Sequence, residues 1–391
     1  MKLNHGRHLA YCTNIHRGET WAETFGALQK HTLAVREKVC PAGIFAIGLR
    51  LSRQAAVELS ERPALLAFRR WLEQNGCYVF TINGFPYGRF HGTRVKEQVY
   101  APDWTTPERL AYTNLLFDLL AELVPEGIAG SISTVPGSFK EFVTSEEAEN
   151  EIRKNVFHCI EHIARLSEKT GREFHLGLEP EPLCFLENTA ETIAFFERLR
   201  TEHPGDVRLD QFLGVNYDAC HLAVEFEEPQ PALAALAAAG IKISKLHLSS
   251  ALKVQPTPAA CASLKQFNDD VYLHQVIARD TRGRLKFFRD LPDALAAGSS
   301  VKAGEPGGTE WRIHFHVPLH APAAPPFANT AGHLLGALDW LAKNPETCQH
   351  LEMETYTWEV LPPELKSQNV VDQLAAEYHW TLAELKSRGL A

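Results

Sequence analysis

The sequence FHLGLEPEP at residues 174–182 places acidic side chains directly after an apolar strand. The spacing of Phe174, Leu176 and Leu178 predicts a short strand, and the two prolines that follow prevent further ladder pairing. Glu179 therefore lies at the carboxyl end of a strand, where α/β proteins gather ligands and chemistry. An isolated glutamate there is more often a loop residue bound to a backbone amide. The ends of the other strands decide between the two interpretations.

Eight strand-like segments alternate with helical segments along the chain. The predicted strands are His8–Asn14, Gly43–Leu51, Cys77–Asn83, Gly130–Val135, Phe174–Leu178, Phe212–Asp218, Ile241–Leu248 and His350–Tyr356. The predicted helices are Trp21–Val39, Ser52–Gln74, Pro107–Leu123, Ser145–Lys169, Thr189–Arg200, Pro231–Ala239, Thr330–Lys343 and Asp372–Lys386. This alternation predicts parallel βαβ units, and eight strands favour a closed (β/α)8 TIM barrel over an open doubly wound sheet.

The alternation stops between Lys253 and Gly308, which we interpret as an insertion within a single barrel domain of residues 1–391. Its sequence predicts a hairpin of Val271–Ala278 and Leu285–Phe288, joined by a turn at residues 280–283. Pro306-Gly307-Gly308 closes the insertion, and Trp311–His316 follows as one more extended segment.

Composition excludes several classes of protein. The net charge of −9 argues against a broad basic surface for nucleic acid. The eight cysteines include no C-x-x-C pair, which is typical of buried thiols in a reducing compartment. The first residues lack the apolar region of a signal peptide, and no run is long enough for a membrane segment. We therefore expect a soluble, cytoplasmic protein without a nucleic-acid partner.

Four predicted strands end in potential metal ligands. These are Glu179, Asp218, His247, and either Glu352 or Glu354. In a closed barrel these neighbouring ends meet at one mouth, so residues distant in sequence can share one ion. Carboxylates with imidazole suit a divalent ion such as Mn²⁺, Mg²⁺, Co²⁺ or Zn²⁺. Without such an ion, clustered buried acids raise one another's pKa.

Two local patterns support this site. His221 follows Asp218 by three residues, close enough to share a ligand site with it or to orient it. Lys245, His247 and Ser249 alternate along a strand and so share one face. A lone histidine on a strand is more often a hydrogen-bonded structural residue, but the acidic strand ends beside it favour a ligand.

These motifs resemble the ligand strands of a known family. In chain order they are Leu178-Glu179-Pro180, Tyr217-Asp218-Ala219-Cys220-His221, Leu246-His247-Leu248-Ser249-Ser250 and Leu351-Glu352-Met353-Glu354-Thr355. They are similar to those of xylose-isomerase-like barrels, which include sugar epimerases and endonuclease IV-type enzymes. The resemblance implies one metal held by Glu179, Asp218, His247 and Glu354, with the two glutamates acting as catalytic groups on opposite sides of the substrate. Glu354 is preferred to Glu352 because Glu354-Thr355 matches the family's final strand better.

The chain also departs from the family's patterns. Ser249 and Ser250 stand where sugar epimerases usually carry a Lys-Asp or Asn-Asp element. The third and fourth strand ends lack the histidines of the endonuclease-type relatives, which argues against a trinuclear zinc centre. His314 and His316 follow the insertion where those relatives place an Asp-x-His pair. Two interpretations are open there: a second metal or substrate contact, or an ordinary polar strand.

Three functions remain open from the sequence. The first is a metal-dependent isomerase or epimerase acting on a small, polyhydroxylated substrate, with His221, His16, Asn83 and His316 as substrate-binding residues. The second is a metal-dependent phosphoester hydrolase, and the third is a metabolite-binding or trafficking barrel without turnover. An oligomer is compatible with all three.

Overall fold

Eight parallel strands form the central sheet of the computed structural model, which describes residues 1–298, 310–321, 325–367 and 369–391. The described residues contain thirteen strands in two sheets. In chain order they are β1 His8–Tyr11, β2 Phe45–Arg50, β3 Cys77–Asn83, β4 Gly130–Thr134, β5 Phe174–Leu178, β6 Leu213–Asp218, β7 Lys242–Leu248, β8 Ala251–Val254, β9 Val276–Arg279, β10 Leu285–Phe288, β11 Glu310–His316, β12 Phe327–Asn329 and β13 His350–Met353. The central sheet has the order β1-β13-β7-β6-β5-β4-β3-β2, and a parallel bridge between Cys12 and Gly48 joins its two edges. The sheet is therefore a nearly closed barrel, as predicted.

Helices follow the barrel strands and surround the sheet. The α-helices of seven residues or more are Trp21–Ala27, Leu33–Val39, Arg53–Ser60, Arg62–Gln74, Pro107–Leu123, Glu146–Thr170, Thr189–Glu202, Pro229–Ala238, Pro258–Leu264, Leu291–Gly298, Ala331–Lys343 and Val370–Ser387. Arg208–Phe212 and Ala219–Val224 are shorter. Several begin at a Ser, Thr or Asn whose side chain accepts from the first turn, as Ser145 does from Ala148 N. Among the described residues, no helix combines the length and apolar character needed to cross a bilayer.

Some element ends differ from the predicted ones. The predicted helix Ser52–Gln74 is two helices that meet at Glu61, whose backbone is extended, and Pro63 lies in the first turn of the second. β1 ends at Tyr11 and β13 at Met353, three residues before each predicted strand end. Asn14 and Glu354 therefore lie in the loops at the barrel mouth rather than in the strands.

A second sheet of five antiparallel strands has the order β10-β9-β11-β8-β12. The predicted hairpin is present as β9 and β10, although β9 begins at Val276, later than predicted. The sheet also includes β8 and β12, which the sequence did not predict, and so draws on residues on both sides of 253–308. The predicted closure at Pro306-Gly307-Gly308 lies outside the described residues.

Aromatic and imidazole rings fill the barrel interior at the amino-terminal ends of the strands. His350 packs against Phe80 with ring centroids 4.8 Å apart and against His175 at 5.1 Å. His8 hydrogen-bonds to the Tyr78 hydroxyl at 2.7 Å. All five side chains are buried. The carboxyl ends of the strands form the opposite end of the barrel, its mouth.

Candidate metal centre

Four buried side chains converge at the carboxyl end of the barrel. Glu179 follows β5, Asp218 ends β6, His247 lies in β7 and Glu354 follows β13. Each offers one ligand atom, and these atoms all lie within 4.8 Å of one another. The strands are consecutive in the sheet, which explains how residues 175 positions apart in the chain meet.

The imidazole of His247 is at the centre of this cluster. Its Nδ1 lies 3.0 Å from Glu179 Oε1, 3.0 Å from Glu354 Oε2 and 3.3 Å from Asp218 Oδ2. Burial alone would lower the pKa of His247, but the Glu354 and Glu179 carboxylates raise it well above its ordinary value. A positive charge at this point, on the ring or on an ion beside it, is therefore strongly favoured.

Asp218 is oriented by backbone N–H groups of the helix that follows it and by Ser249. Its Oδ1 caps the helix Ala219–Val224, accepting from Cys220 N at 2.7 Å and His221 N at 3.0 Å. Ser249 Oγ donates to the same oxygen at 2.7 Å. Burial would raise the pKa of Asp218, but His221 and His247 lower it well below its ordinary value. Ser249 thus supports the neighbouring strand's carboxylate at the point where the sequence departs from the epimerase pattern.

Glu354, not Glu352, faces the other three groups. Glu354 Oε1 accepts from Asn14 Nδ2 at 2.7 Å and from Asn83 Nδ2 at 2.9 Å, which leaves Oε2 toward His247. Glu352 lies deeper in the barrel, where it pairs with Lys245. The structure thus places Glu354 in the cluster, and its role as a metal ligand stays a prediction.

The donor set fits a divalent cation. Three carboxylates and one imidazole are the ligands that hard and borderline divalent ions take in proteins. Glu179 Oε2 is buried without a hydrogen-bond partner among the described residues. Buried carboxylates so close together are costly unless a cation compensates their charge. Glu179, Asp218, His247 and Glu354 are the residues that could hold it.

A cavity lies directly above the cluster, and several aromatic side chains contribute to its walls. Its lining includes Asn14, Asn83, Phe85, Phe90, Val95, Lys96, Val99, Tyr100, Glu179, Glu181, His221, Tyr272, Leu273, His314, Glu354 and Tyr356. The loop after β3 forms one wall and is joined to the segment around Val271 by backbone hydrogen bonds from Val95 N and Lys96 N to Val271 O, both 2.9 Å. The segment around Val271 therefore helps to enclose the site.

Glu181 occupies the upper wall of this cavity. Its Oε1 accepts from the Tyr100 hydroxyl at 2.5 Å and from Gln275 Nε2 at 3.2 Å. Burial raises its pKa to about 8, with Glu179 adding to the shift. The second glutamate of the 174–182 stretch is thus an uncharged hydrogen-bonding group near neutral pH.

Three histidines lie beside the main cluster. His221 Nδ1 hydrogen-bonds to Pro180 O at 3.0 Å, and His316 Nδ1 to Glu354 O at 2.9 Å. Ligand atoms of Asp218, His221 and His316 come within 4.8 Å of one another. His316 Nε2 and His314 Nε2 are buried without a partner among the described residues. These nitrogens can bind a substrate oxygen or a second ion.

Comparison with solved structures identifies the fold. A xylose isomerase-like TIM barrel protein from Mycobacterium smegmatis, solved in complex with magnesium, matches with a TM-score of 0.54 and 14% identity, covering 99% of each chain. An L-ribulose 3-epimerase matches with a TM-score of 0.50 and 12% identity, covering 99% of this chain and 96% of that one. The chain has the xylose-isomerase-like TIM-barrel fold. No family model and no curated protein matches the sequence.

In this xylose-isomerase-like barrel, the substrate-binding residues expected from the sequence lie in different places. Asn83 and His221 line the cavity, and His316 lies beside it. His16 lines a separate small cavity with Arg50, hydrogen-bonds to the Tyr11 hydroxyl at 2.9 Å and stacks on His31. Its place in the chain after the first strand therefore does not bring it to the main cavity.

The structure also brings in residues that the sequence analysis did not select. Asn14 holds Glu354, and its position at the end of the predicted first strand was a usable signal. Tyr100 ends the short 3-10 helix Lys96–Tyr100, and Gln275 lies in an irregular segment, so neither belongs to an element long enough for periodicity to predict the direction of its side chain. Gln275 links Glu181 to His314, whose Nδ1 is 2.7 Å from Gln275 Oε1.

Proposed function

We propose that this protein is a divalent-metal-dependent isomerase or epimerase of a small sugar-like or polyol substrate. The observation that carries the proposal is the convergence of Glu179, Asp218, His247 and Glu354, with ligand atoms within 4.8 Å, at the floor of a cavity. A bound divalent ion would polarise a carbonyl and stabilise negative charge on its oxygen. The fold supports the proposal but does not by itself assign a reaction.

The two glutamates are suited to move a proton on opposite sides of a carbon. Glu179 and Glu354 come from strands on either side of His247, and both are buried. Glu354 is held by Asn14 and Asn83 through Oε1, which restricts its rotation. We assign one glutamate to remove the proton from the carbon next to a carbonyl and the other to return it.

The neighbouring polar groups are suited to bind hydroxyl groups. His221 keeps Nε2 available because its Nδ1 is bound to Pro180 O. Asn83 and His316 lie next to Glu354, and Glu181 faces the same cavity from above. Aromatic walls complement the apolar C–H faces of a sugar ring. These features favour a polyhydroxylated small molecule as the substrate.

Isotope exchange tests the proposal even where the product of the reaction is unidentified. Protein loaded with Mn²⁺ is incubated in D2O with a panel of ketoses and aldoses, and mass spectrometry measures deuterium gained at carbon. We expect exchange on at least one sugar, and a loss of about 10²-fold or more in Glu179→Gln and Glu354→Gln at saturating metal. Glu225→Gln, at a buried carboxylate outside the cavity lining, should retain wild-type exchange. Full exchange by both variants would disprove the acid/base assignment.

A second candidate function is hydrolysis of a phosphate ester with two metal ions. The observation that favours it is the adjacent cluster of Asp218, His221 and His316. Metal analysis discriminates the two functions: one tightly held ion per chain fits the isomerase, and two with release of phosphate from an aryl phosphate fit the hydrolase.

A barrel that binds a metabolite without turning it over is the third candidate. We propose this candidate from the sequence alone, which resembles that of the xylose-isomerase-like metabolite traffic protein EboE. Metal binding with sugar binding but no exchange at any carbon would support this function over the first.

A further inference from the structure

A buried ion pair lies directly beneath the candidate metal ligands. Lys245 on β7 donates from Nζ to Glu352 Oε2 on β13 and to Ser133 Oγ on β4, the latter at 3.0 Å. The same Glu352 oxygen lies 2.9 Å from His247 Nε2. Lys245, Glu352 and His247 all have no exposed surface. The three side chains thus form a continuous chain from the barrel core to the metal centre.

The register of the barrel creates this arrangement. β7 and β13 are parallel neighbours in which His247 is paired with Glu352. Gly48 on β2 provides the space, because a Cβ there would lie 1.9 Å from Glu352 Oε1. That oxygen has no hydrogen-bond partner among the described residues. The interior therefore accommodates a carboxylate where an apolar side chain would be easier to bury.

Stability alone is a poor reason for such a pair. Removing two charges from water costs several kcal/mol per ion, and apolar replacements of buried pairs are often neutral or stabilising. The contact with His247 supplies another reason. A carboxylate only accepts hydrogen bonds, so Glu352 keeps a proton on Nε2. Nδ1 is then the nitrogen left for an ion, and it already faces the space between Glu179 and Glu354. A histidine ligand needs that tautomer and orientation.

We propose that Glu352, neutralised by Lys245, is a positioning residue that orients His247 for metal binding. This inference rests on the proposed metal dependence of the protein. Lys245 prevents an unpaired negative charge in the barrel core, and Ser133 fixes the ammonium from the opposite wall. Neither Lys245 nor Glu352 is needed to touch the ion.

Metal affinity tests the inference directly. We expect Glu352→Gln to weaken Mn²⁺ binding, measured by isothermal titration calorimetry, by about 10- to 100-fold. We also expect the visible absorption of the Co²⁺-loaded variant to differ from that of wild type, because the ring no longer presents Nδ1 in the same geometry. A purely structural carboxylate would leave this spectrum unchanged. Glu225→Gln is the matched control, as it removes a buried carboxylate that takes no part in these contacts.

A second variant protects the test against loss of folding. Lys245→Met combined with Glu352→Leu removes both charges, should fold as judged by its melting temperature, and should also bind Mn²⁺ at least about 10-fold more weakly. If the folded variants kept the wild-type Mn²⁺ affinity and Co²⁺ spectrum, or lost no more Mn²⁺ affinity than Glu225→Gln, the role of Glu352 would be wrong while the metal-dependent function would stand. Absence of Mn²⁺ binding by the wild-type protein would instead overturn the metal-dependent function and the inference with it.

Discussion

Gly48 is the residue at which the barrel wall comes closest to the buried ion pair. A methyl group there would lie 1.9 Å from Glu352 Oε1 and 2.7 Å from Tyr11 O. The carboxylate could rotate away, but the Tyr11 backbone belongs to β1 and cannot. The residue therefore maintains both the closure of the barrel and the position of Glu352.

Substitution of Gly48 by alanine should therefore destabilise the protein. We expect a loss of about 1–3 kcal/mol in the free energy of unfolding, from urea titrations followed by circular dichroism. Gly26→Ala is the matched control because a Cβ at Gly26, in the helix Trp21–Ala27, meets no atom within 4 Å. The control should be neutral or stabilising by up to about 1 kcal/mol. Equal effects of the two substitutions would contradict the packing argument.

The C-terminal helix, Val370–Ser387, contributes one buried carboxylate to the contact with the barrel mouth. Glu377 Oε1 accepts from Leu319 N at 3.0 Å and from Thr355 Oγ1 at 2.9 Å. Burial raises its pKa to about 7, although both hydrogen bonds lower it. The helix is thus attached next to Glu354 by a group that is protonated in much of the neutral range.

This attachment predicts a pH dependence of stability. An unfolded glutamate ionises near pH 4.5, so the stabilising contribution of Glu377 is complete below that pH and is lost as the pH rises toward 7. Relative to Glu377→Gln, the wild-type protein should lose about 3 kcal/mol of unfolding free energy over this window. Urea titrations at half-unit pH steps measure the difference. Glu168→Gln, at an exposed position, is the control. A difference in unfolding free energy between wild type and Glu377→Gln that stays constant with pH would refute the prediction.

At the scale of the whole molecule, the two ends of the barrel contain different polar groups. The mouth collects carboxylates, whereas the opposite end contains His8, His175 and His350 among aromatic rings. Burial, with Lys242 and Lys245 nearby, lowers the pKa of His175 to about 3. Its Nδ1 is 2.6 Å from Ser244 Oγ, so the neutral ring is satisfied. Protonation of His175 is therefore unfavourable in the folded barrel.

Acid should consequently weaken the whole fold. An unfolded histidine takes up its proton below about pH 6.5 while folded His175 remains neutral down to about pH 3, so stability falls as the pH falls through this window. His175 alone contributes a slope of about 1.4 kcal/mol per pH unit. His175→Asn should reduce the measured slope between pH 6.5 and 4.5 by that amount, and the exposed His379→Asn should not. An unchanged slope of unfolding free energy against pH in His175→Asn would show that His175 does not titrate in this way.

The sequence by itself determined the repeated local features of this protein. Apolar periodicity, prolines after β5 and helix caps act over a few residues, so eight strands and most helices were predictable. The strand ends also disclosed Glu179, Asp218 and His247, because the carboxyl ends of parallel strands share one edge of the barrel.

The tertiary structure alone decided the contacts between distant segments. Local periodicity places Glu352 and Glu354 on the same strand face and does not distinguish them. Only the closed barrel shows that Glu352 pairs with Lys245 and that Glu354 belongs to the cluster with Glu179, Asp218 and His247. The five-stranded sheet depends on pairing between β8 and β11, about 60 residues apart in the chain. Side-chain directions in very short helices and irregular segments, as for Tyr100 and Gln275, cannot be predicted from a repeating pattern. Local rules specify which residues end a strand, whereas long-range packing specifies which atoms those residues meet.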